Sequence, residues 1–61
     1  MKRKELIKHL KKYGCEFLRE GGNHTVYVNR IKMKVSSVPR HREVDNKLCR
    51  KICKDLEIEI P

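Results

Sequence analysis

The sequence predicts an α+β fold with the element order helix, strand, strand, strand, helix, and three observations predict it. Apolar residues recur at helical spacing near both ends of the chain, at Leu6, Ile7, Leu10 and Tyr13 and again at Leu48, Ile52 and Leu56. Between them, three short runs alternate with the two-residue rhythm of strands. Gly14, Gly21, Gly22, Asn29 and Pro39 punctuate the boundaries. Three consecutive strands with tight links make an antiparallel meander, and two amphipathic helices laid on one face of that three-stranded sheet share a single core with it.

The first helix is predicted from about Lys2 to Tyr13. Its apolar stripe leaves Lys4, Lys8, Lys11 and Lys12 mostly elsewhere, with His9 on the lysine-rich surface, and Gly14 ends it as a left-handed cap. A basic amphipathic helix also suits a membrane surface. A thin core needs the same stripe, however, and no membrane is expected as a partner. "CEFLRE", residues 15–20, lies between Gly14 and the Gly21-Gly22 pair and reads as a strand entering a hairpin.

"HTVYVN", residues 24–29, has the β-branched and aromatic content of a second strand, with His24, Val26 and Val28 on one face and Thr25 and Tyr27 on the other. "IKMKVSS", residues 31–37, sets Ile31, Met33 and Val35 against Lys32 and Lys34, and Pro39 stops the ladder. In the second helix Cys49 and Cys53 sit beside Leu48, Ile52 and Leu56 on the buried face, and Asp45 or Asn46 caps the start. The closing "EIEIP" suits either a frayed strand or a helical end.

The 61 residues make one domain, 1–61, and a chain of this size buries only about 60% of the surface its unfolded form exposes. Apolar residues are 38% and aromatics 5%, so a few aliphatics with Tyr13, Phe17 and Tyr27 must supply most of the burial. Such a core leaves little room for an enclosed ligand cavity of roughly 300 Å³ or more, and no small-molecule cofactor is expected. Sixteen Lys and Arg against eight Asp and Glu give a net charge of +8, which selects polyanionic partners: nucleic acid, an anionic membrane or an acidic protein.

No segment has the apolar stretch of a signal peptide or a bilayer span, which leads to a cytoplasmic expectation. Cys15, Cys49 and Cys53 are odd in number and contain no C-x-x-C, so they are expected as apolar packing residues rather than a disulfide framework or zinc site. No metal-ligand spacing, Walker A loop or dinucleotide fingerprint occurs.

Two stretches carry candidate chemistry. His24 follows Gly22 and Asn23, where a glycine turn lets backbone approach a ligand and an imidazole at its mouth meets substrate. Histidine is the side chain best suited to proton transfer near neutral pH. The alternative is a satisfied histidine at the core edge, because alternation puts His24 on the Val26 and Val28 face. "VPRHRE" gathers Arg40, His41 and Arg42 ahead of the second helix, where guanidinium groups grip phosphates in a bidentate manner. A solvated basic loop is the alternative there.

Taken in order, "KELIKHLKKYGC", "LREGGNHTVY", "SSVPRHRE" and "LCRKICKDLEI" resemble the HicA family of bacterial toxins from one end of the chain to the other. The Gly-x-His element, the Pro-x-His element and the final helix stand in the family's order and separations. The resemblance implies a double-stranded-RNA-binding-domain-like α-β-β-β-α fold. It also implies an mRNA interferase, an endoribonuclease that cuts mRNA and is silenced by a HicB-like antitoxin protein.

In that family the histidine of the Gly-x-His element is catalytic, and it falls here on His24. Asn23 stands where the family often has serine. Deprotonating a ribose 2′-OH makes an internal nucleophile on the adjacent phosphate, so a base and a positive environment suffice without a metal. Gly22, Asn23, Lys34, Arg40, His41 and Arg42 are the expected RNA contacts, with His41 a candidate second proton-transfer group. Two rival functions use the same features: a non-catalytic RNA-binding module, and a basic domain whose target is an acidic protein.

Overall fold

The computed structural model describes all residues from Met1 to Pro61. Helix α1 spans Arg3–Lys12, strand β1 Glu16–Gly21, β2 His24–Asn29, β3 Lys34–Pro39 and helix α2 Asn46–Asp55, the predicted order. The strands form an antiparallel sheet in the order β1-β2-β3. Leu6 and Leu10 of α1 and Cys49, Ile52 and Cys53 of α2 enclose Tyr27 and Val38 of the sheet in one core, with Cys15, Val44 and Leu56. Thr25 pairs with Val38 and Tyr27 with Ser36, so Tyr27 and Val38 share a face. Both helices therefore cover the same side of the sheet, in the α+β arrangement consistent with a double-stranded-RNA-binding-domain-like fold.

The helix ends follow local chemistry. Gly14 takes φ 86, and the Cys15 N–H donates to the Leu10 carbonyl at 2.9 Å while the Gly14 N–H donates to Lys11 at 3.0 Å. This pair of bonds is a Schellman cap, closed by packing of Cys15 on Leu10. Of the two candidate caps for α2, Asp45 serves: its carboxylate accepts from the Lys47 N–H at 3.2 Å. The far end of α2 repeats the Schellman pattern with Glu57 at φ 56 in the glycine position and Ile58 bonded back to Cys53 at 3.0 Å.

The tail is thereby placed. Ile58 packs on the core. The Glu59 carboxylate accepts from the Tyr13 hydroxyl at 2.6 Å, and its carbonyl lies 2.7 Å from His9 Nε2, which must carry the proton. His9 is consequently half-buried against the tail rather than fully on the surface. The hydrogen bond from Tyr13 to Glu59 raises the phenol's pKa above its ordinary value. The three cysteines are free and buried, and burial pushes all three thiols up, in keeping with packing residues.

Three further expectations are corrected. The third strand begins at Lys34 rather than Ile31, because residues 30–33 form the turn, with Met33 at φ 57. Ile31 is 91% exposed and Met33 82% exposed. Asn29 organises this turn: its Oδ1 accepts from the Lys32 N–H at 3.3 Å while its Nδ2 donates to the Leu56 carbonyl at 2.8 Å. The strand then runs through Val38 to Pro39, which is tolerated because β3 is an edge strand.

The second correction concerns β2. Its helix-facing residues are Thr25, Tyr27 and Asn29, of which Thr25 bonds Arg3 and Asn29 bonds the end of α2, so Val26 and Val28 lie on the outer face, shielded by neighbouring strands but outside the core. The third concerns the aromatics, of which Tyr27 alone is buried. Phe17 is half-exposed on edge strand β1, touching Tyr27 edge-on at 6.4 Å, and Tyr13 reaches out to the tail, so aliphatics and cysteines fill the space instead.

Candidate active site

Gly21 and His24 close the β1-β2 hairpin as a cross-strand pair, leaving Gly22 and Asn23 as its two-residue turn. Only Gly22 of the two has a positive φ, 57, the arrangement of a type II′ hairpin with glycine first. His24 thus opens β2 on the outer face of the sheet, and it is exposed. A side chain on the central strand is normally walled in by its cross-strand neighbours. Here those neighbours are Gly21, which has no side chain, and Pro39, which has a short one, so the imidazole stands open to solvent. The core-edge histidine alternative is excluded, because the face that His24 shares with Val26 is not the core face.

The pairing of His24 with Pro39 delivers the second stretch to the same end of the sheet. Arg40 and His41 follow Pro39 directly, and with Asn23 they line a cleft of about 240 Å³ at the same end of the sheet, of which His24 itself is not a wall. Arg42 is directed elsewhere, lining a neighbouring cleft of about 270 Å³ with Lys2, Arg3 and Lys4. No carboxylate pairs with these four side chains, as the five ion pairs of the molecule involve other cations. Lys34 pairs across from Asn29 at the opposite end of β3, five strand steps of about 3.4 Å from Pro39 and so about 17 Å away. There it forms an ion pair with Glu57 at 3.6 Å.

A polar chain behind the site was not legible in the sequence. Arg3 donates from Nε to the Pro39 carbonyl at 2.9 Å and from Nη2 to Thr25 Oγ1 at 3.0 Å, and the Thr25 hydroxyl donates to Glu20 at 3.1 Å. Glu20 in turn forms an ion pair with Arg40, whose guanidinium holds the carboxyl below its ordinary pKa. A bulge between Phe17 and Arg19 makes this possible, because it shifts the alternation of β1 so that Glu20 lies opposite Thr25. Arg3 ties α1 to the ends of β2 and β3, yet in the sequence it is one basic residue among many.

No three His, Cys, Asp or Glu side chains are grouped closely enough to hold a metal ion. No helix is long and apolar enough to cross a membrane. The family described as the HicA toxin of bacterial toxin-antitoxin systems matches residues 3–58. The chain belongs to the HicA toxin family. No curated protein and no solved structure matches it. As a HicA-family toxin it is one component of a toxin-antitoxin pair, in a family of ribonuclease-type toxins. The HicA match covers both the turn that presents His24 and the loop that carries Arg40 and His41.

Proposed function

We propose that this toxin is an endoribonuclease acting on mRNA in the cytoplasm, with residues 1–61 as a single domain, His24 as its proton-transfer residue and a HicB-like antitoxin as its inhibitor. The observation that carries this is the imidazole standing open between Gly21 and Pro39, at the end of the sheet that also carries Asn23, Arg40 and His41. His24 takes the proton of a ribose 2′-OH. The 2′-oxygen attacks the adjacent phosphorus, the bond from phosphorus to the 5′-oxygen breaks, and that oxygen leaves with a proton. The products are a 2′,3′-cyclic phosphate and a 5′-hydroxyl. His41, in the loop after Pro39, is the candidate that returns the leaving-group proton.

Gly22 and Asn23 bring backbone close to the RNA at the turn. Arg40 and Arg42 contact phosphate, Arg40 in competition with Glu20 and Arg42 free of any carboxylate. Lys34 meets the RNA far from the cut, at the other end of the sheet. The +8 charge draws both the RNA and an acidic antitoxin surface that covers His24.

The test is a cleavage time course on a long single-stranded RNA with wild type and His24→Ala, each with and without EDTA. Wild type alone cuts, and EDTA changes nothing. Cleavage by His24→Ala at the wild-type rate rejects the role of the histidine, and binding without any cleavage by wild type points to a non-catalytic RNA module. A DNA oligonucleotide of the same sequence resists, because it has no 2′-OH.

A further inference from the structure

The bulge in β1 has a second product besides Glu20. It pairs Arg19 with Val26, which puts Arg19 on the outer face, the face of His24. Two residues on, Gly21 lies directly opposite His24. A methyl group built on Gly21 would stand 3.2 Å from Arg19 Nη1 and 3.7 Å from Val26 Cγ2. The Arg19 guanidinium therefore rests over the bare backbone of Gly21. Cross-strand partners hold their Cβ positions about 5 Å apart, so Arg19 Nη1, 3.2 Å from the Gly21 position, lies no more than about 8 Å from His24 Cβ on the same face of the sheet. Arg19 takes part in none of the five ion pairs, whereas Arg40 is held by Glu20. It is the one guanidinium on the open face beside His24 with its charge unspent.

We propose that Arg19 is a catalytic residue of the reaction assigned above, on which this inference rests, and that its guanidinium binds the non-bridging oxygens of the scissile phosphate as negative charge builds on them. In the attack of the 2′-oxygen those oxygens gain charge while phosphorus is five-coordinate, and a fixed cation there strengthens its hold as the barrier is climbed. Guanidinium suits the task because its fork matches two phosphate oxygens at once. Gly21 has a reason to be glycine at this position: a side chain would displace the guanidinium from its place opposite the imidazole. The sequence conceals Arg19, since strict alternation from Phe17 puts it on the opposite face.

The experiment compares wild type, Arg19→Gln, Arg19→Lys and His24→Ala on one single-stranded RNA. It measures single-turnover cleavage rates, and separately the affinity for the same oligonucleotide carrying a 2′-deoxyribose at the cut. Arg19 is exposed, so melting curves of its variants should overlay wild type. Arg19→Gln should lose about 10²–10³-fold in rate, as removal of one transition-state donor does, with the affinity for the uncleavable RNA changed less than about threefold. Arg19→Lys should recover part of the rate, keeping the charge but not the fork. Wild-type rate in Arg19→Gln, with His24→Ala inactive, overturns the role of Arg19 and leaves the ribonuclease function standing. A rate loss matched by an equal loss of affinity also overturns it, making Arg19 a ground-state contact only. Full activity in His24→Ala removes the ribonuclease chemistry proposed for His24, and the proposal for Arg19 falls with it.

Discussion

Gly21 and Gly22 are adjacent and identical, yet alanine should act on them with opposite signs. Gly22 has φ 57, and nothing lies within 4 Å of a methyl group built on it, so the whole cost of Gly22→Ala is backbone strain. An L-residue in the left-handed region costs about 1–2 kcal/mol. The smaller conformational freedom of unfolded alanine returns about 0.4–1 kcal/mol, leaving a net loss near 1 kcal/mol. For a domain of this size that lowers Tm by roughly 4–8 °C.

Gly21 is not in the left-handed region, and the closest group to its added methyl is the flexible end of Arg19. Gly21→Ala should therefore keep the unfolded-chain gain and raise Tm by about 2–8 °C. Because it also pushes the Arg19 guanidinium aside, the more stable variant should be the slower enzyme. Circular-dichroism melts at fixed pH and salt, run beside the cleavage assay, measure both effects. Gly22→Ala melting with wild type, or Gly21→Ala melting below Gly22→Ala, would refute the conformational reasoning.

Asn29→Ala should cost about 1–3 kcal/mol, because it leaves the Leu56 carbonyl buried without the Nδ2 donor at 2.8 Å that joins β2 to the end of α2; a urea midpoint equal to wild type would reject this. Acid should destabilise the toxin through Glu20 and Asp55, whose carboxyls are held below their ordinary values of 4.5 and 3.8, chiefly by hydrogen bonds from Arg40 and Lys51. A depressed folded pKa gives stability that is present above the unfolded value and lost as pH falls through the folded one. Tm of wild type should then decline more steeply below pH about 4 than Tm of a Glu20→Gln, Asp55→Asn double variant, and superimposable curves would count against it.

The polar chain from Arg3 through Thr25 and Glu20 to Arg40 gives the site a rigid back wall. It joins α1, β1, β2 and the loop before α2 at the one end of the sheet where His24 stands. The end that holds Lys34 is built differently, around the side chain of Asn29 and the ion pair with Glu57. The proposed chemistry thus sits at one end of a sheet whose central strand runs between the two.

Local forces determined what could be read in the chain by itself. The stripe of Leu6 and Leu10, the left-handed glycine at 14, the Asp45 cap and the hairpin glycines each act within a few residues, so the two helices, the strand order and the turn before His24 were all legible. The loop that carries Arg40 and His41 ahead of α2 was legible too.

Which face of β2 meets the helices was settled only by packing. Alternation is symmetric, and Val26 with Val28 looks as apolar as Thr25 with Tyr27; the choice falls to the second set because Arg3 and the Leu56 carbonyl supply partners for Thr25 and Asn29. The bulge after Phe17 has no glycine or proline to announce it, so the placing of Arg19 and Glu20 was invisible. Register decided the rest: pairing His24 with Pro39 carried Arg40 and His41 to the end of the sheet where His24 stands, and the same ladder sent Lys34 to the other end. Ile31 and Met33 looked like a strand because their alternation is a one-dimensional signal, whereas burial needs neighbouring strands or helices, and the turn leaves both side chains exposed.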